Sequence, residues 1–357
     1  PRKFSKNTLD LCTGSGIQSI IASRYSDNVV AVDINPRAIR FARFNTQLNG
    51  VKNVQIIQSN LYNSIPQIKY DVILANPPFV PSPDLNMKFR DGGVNGESIL
   101  SSIIQNAPNY LSLAGRLYIV TDLVDVDNYK SKLLHWWGED SARIMILKTA
   151  DRNEILFSVP HCHYPFDQSY HEYKDELIKW VDNFKNSNLK LVNFGYILIE
   201  RSNDKIFFSK TISNPSIPIY NLVNTFFTHH DLIKDSINNL ILSVHDDIRL
   251  RREGDLQDTN LIYKLFAEQN PYFTEYIISK QIYEALINIS KNQVYYKDFK
   301  DVPFINDLIK KGILILNRYN QSVDVRCDKK NYSSNQDGIL EMETKTTPTC
   351  LTSYLKQ

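Results

Sequence analysis

A short apolar run, Thr8 to Leu11, leads into Asp10-Leu11-Cys12-Thr13-Gly14-Ser15-Gly16, and a helical pattern follows at once. Ile17, Ile20, Ile21 and Tyr25 recur at i, i+3, i+4 and i+8, one face of a helix. Strand, glycine turn and helix in that order open a doubly wound α/β sheet. The glycines let a ligand approach the backbone at the helix N-terminus. The spacing is G-x-G without a third glycine, which argues against a nicotinamide dinucleotide. A second apolar run, Asn28 to Asp33, ends on a carboxylate seventeen residues after Gly16. A carboxylate placed there accepts from both hydroxyls of a ribose, so the pair predicts an adenosine-type cofactor. The expected cofactor residues are Asp10, Cys12, Thr13, Gly14 and Gly16 in the turn, then Asp33 and Ile34. Cys12 is expected to pack inside the turn and to do no chemistry.

A third run, Val54 to Gln58, ends in Ser59-Asn60-Leu61-Tyr62 and adds Asn60 and Leu61 to the cofactor set. A fourth, Tyr70 to Ala75, ends in Asn76-Pro77-Pro78-Phe79. Two successive prolines cannot continue a ladder or enter a helix interior, so this loop is stiff. Its chemistry suits one task. The Asn76 side-chain oxygen and the Pro77 carbonyl both accept from an N–H group. Together they pin an amino or amide nitrogen and offset the charge that grows on it during transfer. Phe79 offers a flat face to a planar group. Asn76, Pro77, Pro78 and Phe79 are the candidate catalytic residues, and Asn76 also borders the cofactor.

A glycine turn about sixty residues ahead of Asn-Pro-Pro-Phe resembles the class I S-adenosylmethionine-dependent methyltransferases, in their "small-domain" branch. Gly92-Gly93-Val94-Asn95-Gly96 before a helix strengthens the likeness to the release-factor glutamine methyltransferases of that branch. The resemblance covers roughly residues 7–125. It implies a seven-stranded Rossmann-like sheet, S-adenosylmethionine as cofactor, and methyl transfer to a planar nitrogen. The branch also holds ribosomal guanine N2 and adenine N6 enzymes, and Phe79 replaces its usual tyrosine as in several nucleic-acid members. It usually has Asp where Asn60 stands, but Asn also accepts from an adenine amino group through its carbonyl oxygen. The branch further implies a domain upstream of Pro1.

Further alternation completes the sheet: a helix from Glu97 to Leu111, a strand from Arg116 to Val120, a helix from Asp127 to Trp137 and a strand from Ala142 to Leu147. The seventh, antiparallel strand is expected from Leu191 to Ile199. The predicted methyltransferase domain is 1–202, with an insertion at 150–189 as a possible substrate cap. Within it His161-Cys162-His163 lacks a third ligand in register, so no metal is expected. The loop 80–96 reads either as a lid or as a solvent loop. Residues 203–320 are expected as an accessory substrate or partner domain, mainly helical and resembling a winged helix. Its predicted helices take in Leu240, Ile241, Val244 and Ile248, then Ile277 to Ile289, then Asp307 to Gly312 with a strand after it. The polar residues 321–357 read as a flexible tail.

With 41 basic and 39 acidic residues the chain presents no global field to nucleic acid. Arg249-Leu250-Arg251-Arg252 is the densest basic run and reads as a solvated helix end. Cysteines at 12, 162, 327 and 350 show no pairing motif, which fits a reducing cytoplasm. Neither a signal peptide nor an apolar run of membrane length is present in the sequence. The leading expectation is therefore a methyltransferase acting on an amide or amino nitrogen of a peptide, protein or natural product. RNA or DNA base methylation is the alternative, possible but not favoured. Oxygen methylation in a tailoring pathway is a third reading, and a degenerate fold serving as a binding subunit is the non-enzymatic one.

Overall fold

The computed structural model describes residues 4–318, apart from 85–86, 88, 139–140, 163–168, 213–218, 255–260 and 268–274. The expected tail after 320 and His163 therefore lie outside the described residues. The chain opens with β1 (Ser5–Leu11), α1 (Ile17–Ala22), β2 (Ser26–Asp33), α2 (Pro36–Leu48), β3 (Val54–Gln58) and β4 (Tyr70–Ala75). It continues through α3 (Ser98–Tyr110), β5 (Leu111–Val124), α4 (Tyr129–Trp137), β6 (Ala142–Arg152), α5 (Glu154–His161), α6 (Tyr170–Asn186), β7 (Val192–Glu200) and β8 (Lys205–Thr211).

These strands form one sheet in the order β3-β2-β1-β4-β5-β7-β6-β8. The first five run parallel, and β7 is antiparallel to both its neighbours, β5 and β6. The order reverses between β1 and β4. In an open α/β sheet such a switch point leaves a crevice outside the carboxyl ends of the strands. The glycine turn leaves β1 there and Asn76 leaves β4 beside it. The strands are held by their own apolar sides: Leu9, Leu11, Ile73, Leu117, Ile119 and Ile146 share one buried cluster with Leu100, Ile103 and Ile104 of α3.

Among the described residues the sheet has eight strands where seven were expected. β8 lies beyond the boundary expected at residue 202, yet it pairs with β6 from Ala142↔Lys205 to Lys148↔Thr211. Then come α7 (Tyr220–Ser236), β9 (Leu240–Val244), β10 (Ile248–Glu253), β11 (Ile262–Ala267), β12 (Glu275–Ile278), α8 (Lys280–Lys291), β13 (Val294–Tyr295), α9 (Pro303–Lys310) and β14 (Leu314–Arg318). They add two three-stranded sheets, β10-β11-β12 and β13-β9-β14. The expectation of a mainly helical unit is corrected: after residue 203 the described residues form seven strands, β8 to β14, and three α-helices, α7 to α9. Ile277, expected to open a helix, lies in β12, and β13 intervenes between α8 and α9.

The helix expected over Leu240 to Ile248 is instead β9 and the start of β10. A spacing of four is even, so it also fits one face of a strand, where Leu240 and Leu242 are both buried. Arg249, Arg251 and Arg252 accordingly sit on a strand and not at a helix end. Met145, Leu147 and Leu198 of the large sheet share a buried cluster with Leu240, Leu242, Leu286 and Ile305. A chain ended at residue 202 would uncover that apolar surface and lose β8. It is expected to give no soluble, cooperatively unfolding protein, as size-exclusion chromatography and circular dichroism would show; a well-folded monomer would mean that the sheet is self-sufficient.

Candidate functional site

The turn after β1 is built on left-handed backbone. Cys12, Gly14 and Gly16 have φ of 56°, 57° and 83°. At Gly16 a Cβ would also lie 3.2 Å from Ala42 of α2, so that glycine serves close packing. At Gly14 a Cβ would meet nothing within 4 Å, so this side of the turn is open. Asp33 ties the turn to the next strand: its carboxylate accepts from the Gly14 N–H at 2.9 Å and the Asn35 N–H at 2.8 Å. Ile34 beside it is 62% exposed. The loop after β3 joins the same rim, because the Ser59 N–H donates to the Asp33 carbonyl at 3.0 Å and Gln58 Nε2 to the Ile34 carbonyl at 3.3 Å. Asn60 is exposed there, and Leu61 is held at a φ of 47°.

Beneath the turn lies Asp10, fully buried. Its Oδ2 accepts from the hydroxyls of Thr13 at 2.6 Å and Ser19 at 2.5 Å, while its Oδ1 has no partner among the described residues. Burial pushes its carboxyl up to about 6, against the lowering effect of those two hydrogen bonds. The same burial pushes the Cys12 thiol up to about 12, in keeping with a packing role. An acid whose folded pKa is raised holds its proton more tightly folded than unfolded. Stability is then gained as pH falls from about 6 toward about 4 and is withheld above that window. Asp10→Asn is expected to raise the melting temperature at pH near 7, and to flatten the rise on acidification. The gain has an upper bound of about 3 kcal/mol, from a shift of about two units. Thermal unfolding from about pH 4 to 7 checks this.

At the end of β4, Asn76 is exposed and its side chain makes no hydrogen bond among the described residues. Pro77 is buried, and Pro78 and Phe79 are half-buried. The described residues of the following loop are tied back onto the motif. Phe79 and Val80 donate their N–H groups to the Arg90 carbonyl at 3.1 and 3.0 Å, and Gly92 donates to the Val80 carbonyl at 2.9 Å. The glycines are there because nothing larger fits. A Cβ on Gly92 would lie 2.8 Å from the Pro78 carbonyl oxygen, and one on Gly96, whose φ is +75°, would lie 2.5 Å from that of Phe79.

The insertion between β6 and β7 packs against this loop. Phe157 of α5 and Trp180 and Phe184 of α6 bury themselves against Val80 and Val192, with Phe79 at the border. Asn183 Nδ2 donates to the Val94 carbonyl at 3.0 Å. His161 is used in packing: it stacks on Phe157 at 4.3 Å and Trp180 at 5.4 Å, and burial lowers its pKa. Three residues near the motif escaped the sequence reading. Phe194 of β7 meets the Phe79 ring edge-on at 6.4 Å. Asp122 of β5 stands opposite Phe194 and pairs with Arg152 at 2.5 Å, and burial nonetheless pushes its carboxyl up to about 6. A cavity of about 380 Å³ has Leu74, Ala75, Tyr118, Tyr196 and Tyr220 in its lining.

Among the described residues, the one cluster with metal-ligand geometry is Asp204, His230 and Asp231, away from this site. Arg143 already pairs with both of its carboxylates. No described helix is long and apolar enough to cross a membrane.

Residues 1–138 match the profile of the methyltransferase small domain. A putative protein N5-glutamine methyltransferase of Methanocaldococcus jannaschii is 35% identical over 153 residues, which cover 40% of this chain and 76% of that protein. The release factor glutamine methyltransferase of Francisella tularensis is 32% identical, over 33% of this chain and 46% of its own length. The ribosomal protein uL3 glutamine methyltransferase of Bordetella pertussis is likewise 32% identical, over 32% of this chain and 43% of its own. The chain thus spans less than half the length of the latter two.

Proposed function

The chain belongs to the methyltransferase small-domain family, and on that premise we propose that it methylates the side-chain amide nitrogen of a glutamine in a protein. The enzyme is S-adenosylmethionine-dependent, and the cofactor when bound supplies an electrophilic methyl group on a sulfonium. The residues around the switch point fit that molecule. The open side of Gly14 admits its backbone-facing part. Asp33 takes the ribose hydroxyls, Ile34 covers the adenine, and Asn60 accepts from the adenine amino group. Asp10, Cys12, Thr13 and Gly16 shape the floor, and Leu61 flanks the base.

The observation that carries the proposal is the placement of Asn76. Its free amide stands at the end of β4, next to the turn that leaves β1. An amide nitrogen is a poor nucleophile because its lone pair is shared with the carbonyl. Two acceptors on its N–H groups, Asn76 Oδ1 and the Pro77 carbonyl, return electron density to nitrogen and offset the charge that forms on it. They also aim it, which replaces orientational entropy in the encounter. Pro78 holds the loop rigid, and Phe79, buttressed by Phe194, supports the planar amide. The proton then leaves to water without a strong base, since the cationic N-methylated amide first formed is strongly acidic. The relatives named for release factors and ribosomal protein uL3 support a protein acceptor.

The test is mass spectrometry of release factors and ribosomal proteins from the same source after incubation with S-adenosylmethionine. The expected result is a gain of about 14 Da on one glutamine, as for replacement of hydrogen by methyl at the atom held for attack. The reaction should also be nearly independent of salt between about 50 and 200 mM, because no phosphate contacts release counterions. Methylation of a nucleic-acid base with a steep salt dependence would replace this reading.

A further inference from the structure

Between Asp33 and Asp71 the sequence runs 37 residues without an acidic side chain, and the same stretch carries Arg37, Arg40, Arg43, Lys52 and Lys69. Helix α2 holds the three arginines. Its inner face, with Ile39, Ala42 and Thr46, is buried. Its outer face presents Phe41, Phe44 and Leu48, which are 49%, 61% and 72% exposed. They fall at i, i+3 and i+7, one stripe along the helix. None of the three arginines forms an ion pair among the described residues, and the Arg37 guanidinium lies over the Phe41 ring at 5.6 Å. Single exposed apolar side chains need no explanation, but a continuous stripe of three large ones marks an interaction site.

We propose that the outer face of α2 is a docking surface for a protein partner that offers an apolar groove rimmed by carboxylates. The spacing i, i+3 and i+7 is that of a helix laid into a groove, each anchor entering its own pocket. The unpaired arginines beside the stripe match an acidic rim and select against a basic one. RNA fits the charge but not the stripe: Leu48 is its most exposed member and has no flat face on which a base could stack. A second copy of this chain fits the stripe but not the charge, because each copy would bring three arginines and no acid from this segment to the contact. The partner would grip the helix that begins three residues after Asp33, so it would steady the cofactor rim without entering the reaction.

The experiment places a photo-crosslinking benzoylphenylalanine at position 44 of the full chain in cells of its source, with position 277 on β12, where Ile277 is 75% exposed, as control. Any protein joined at 44 and not at 277 is purified, and its affinity is measured by calorimetry. The expected result is one acidic protein. Its affinity should fall at least tenfold for Phe44→Ala with Leu48→Ala, and as much for Arg37→Glu with Arg40→Glu and Arg43→Glu, as for loss of interface anchors. S-adenosylhomocysteine affinity unchanged in both variants would show that the fold is intact. The proposal is overturned by nuclease-sensitive capture of RNA at 44, by self-crosslinking, by binding to vesicles with about 30% phosphatidylserine lost in both variants, by an affinity that neither variant changes, or by no capture at all.

Discussion

Asn76→Ala is expected to lower turnover by about a hundredfold or more, while S-adenosylhomocysteine affinity stays within about threefold. The asymmetry follows from where the side chain stands. It is exposed and free of hydrogen bonds among the described residues, so its removal breaks no contact of the fold. What is lost is an acceptor placed where charge develops, and such groups are worth about 2.7–4 kcal/mol. Single-turnover kinetics with the methylated peptide as readout, beside calorimetry with S-adenosylhomocysteine, separates the two effects. Undiminished turnover would mean that the acceptor is held elsewhere and that Asn-Pro-Pro-Phe is only a turn.

The second large effect is expected at Asp33, where alanine should weaken S-adenosylmethionine binding at least tenfold in calorimetry. Two charge-assisted hydrogen bonds to the ribose are at stake, each worth about 1.5–3 kcal/mol. Part of the effect will come from the protein itself, since the same carboxylate holds the Gly14 and Asn35 N–H groups. Asp33→Asn keeps an acceptor but not the charge, and should fall between the two. Equal affinity in all three proteins would move the cofactor away from this rim.

The parts of the site that follow local rules were legible from the sequence. A glycine turn after an apolar run, a carboxylate ending the next run and a double proline after the fourth each leave a mark within a few residues. Their meeting at one edge depends on β1 lying beside β4, and strand order is not a local property. Asp122, Arg152 and Phe194 were missed for the same reason. They are brought together because β7 pairs with both β5 and β6, and none belongs to a short motif. The lid question at 80–96 turned on Gly92 and Gly96, whose need for space appears only when the loop folds back on Phe79. β8 was hidden because its residues are half-buried on both sides, so Lys205–Thr211 shows little alternation to read. At Leu240 the error was one of period, since four residues is both a helical repeat and twice the strand repeat.

The strand order has a consequence for biosynthesis. β5 is complete at Val124, but its outer neighbour, β7, is not synthesised until residues 192–200, and β6 gains its outer neighbour, β8, only at residues 205–211. A ribosome making this chain therefore releases the turn, Asp33 and Asn76 early, with the flank of β5 still unpaired. Contacts that span so much sequence close slowly, and unpaired strand edges are where nascent chains aggregate. The half of the molecule that carries the reaction must wait for the half that does not. A pause in translation after Val124 would be expected to cost more soluble enzyme than one after Thr211.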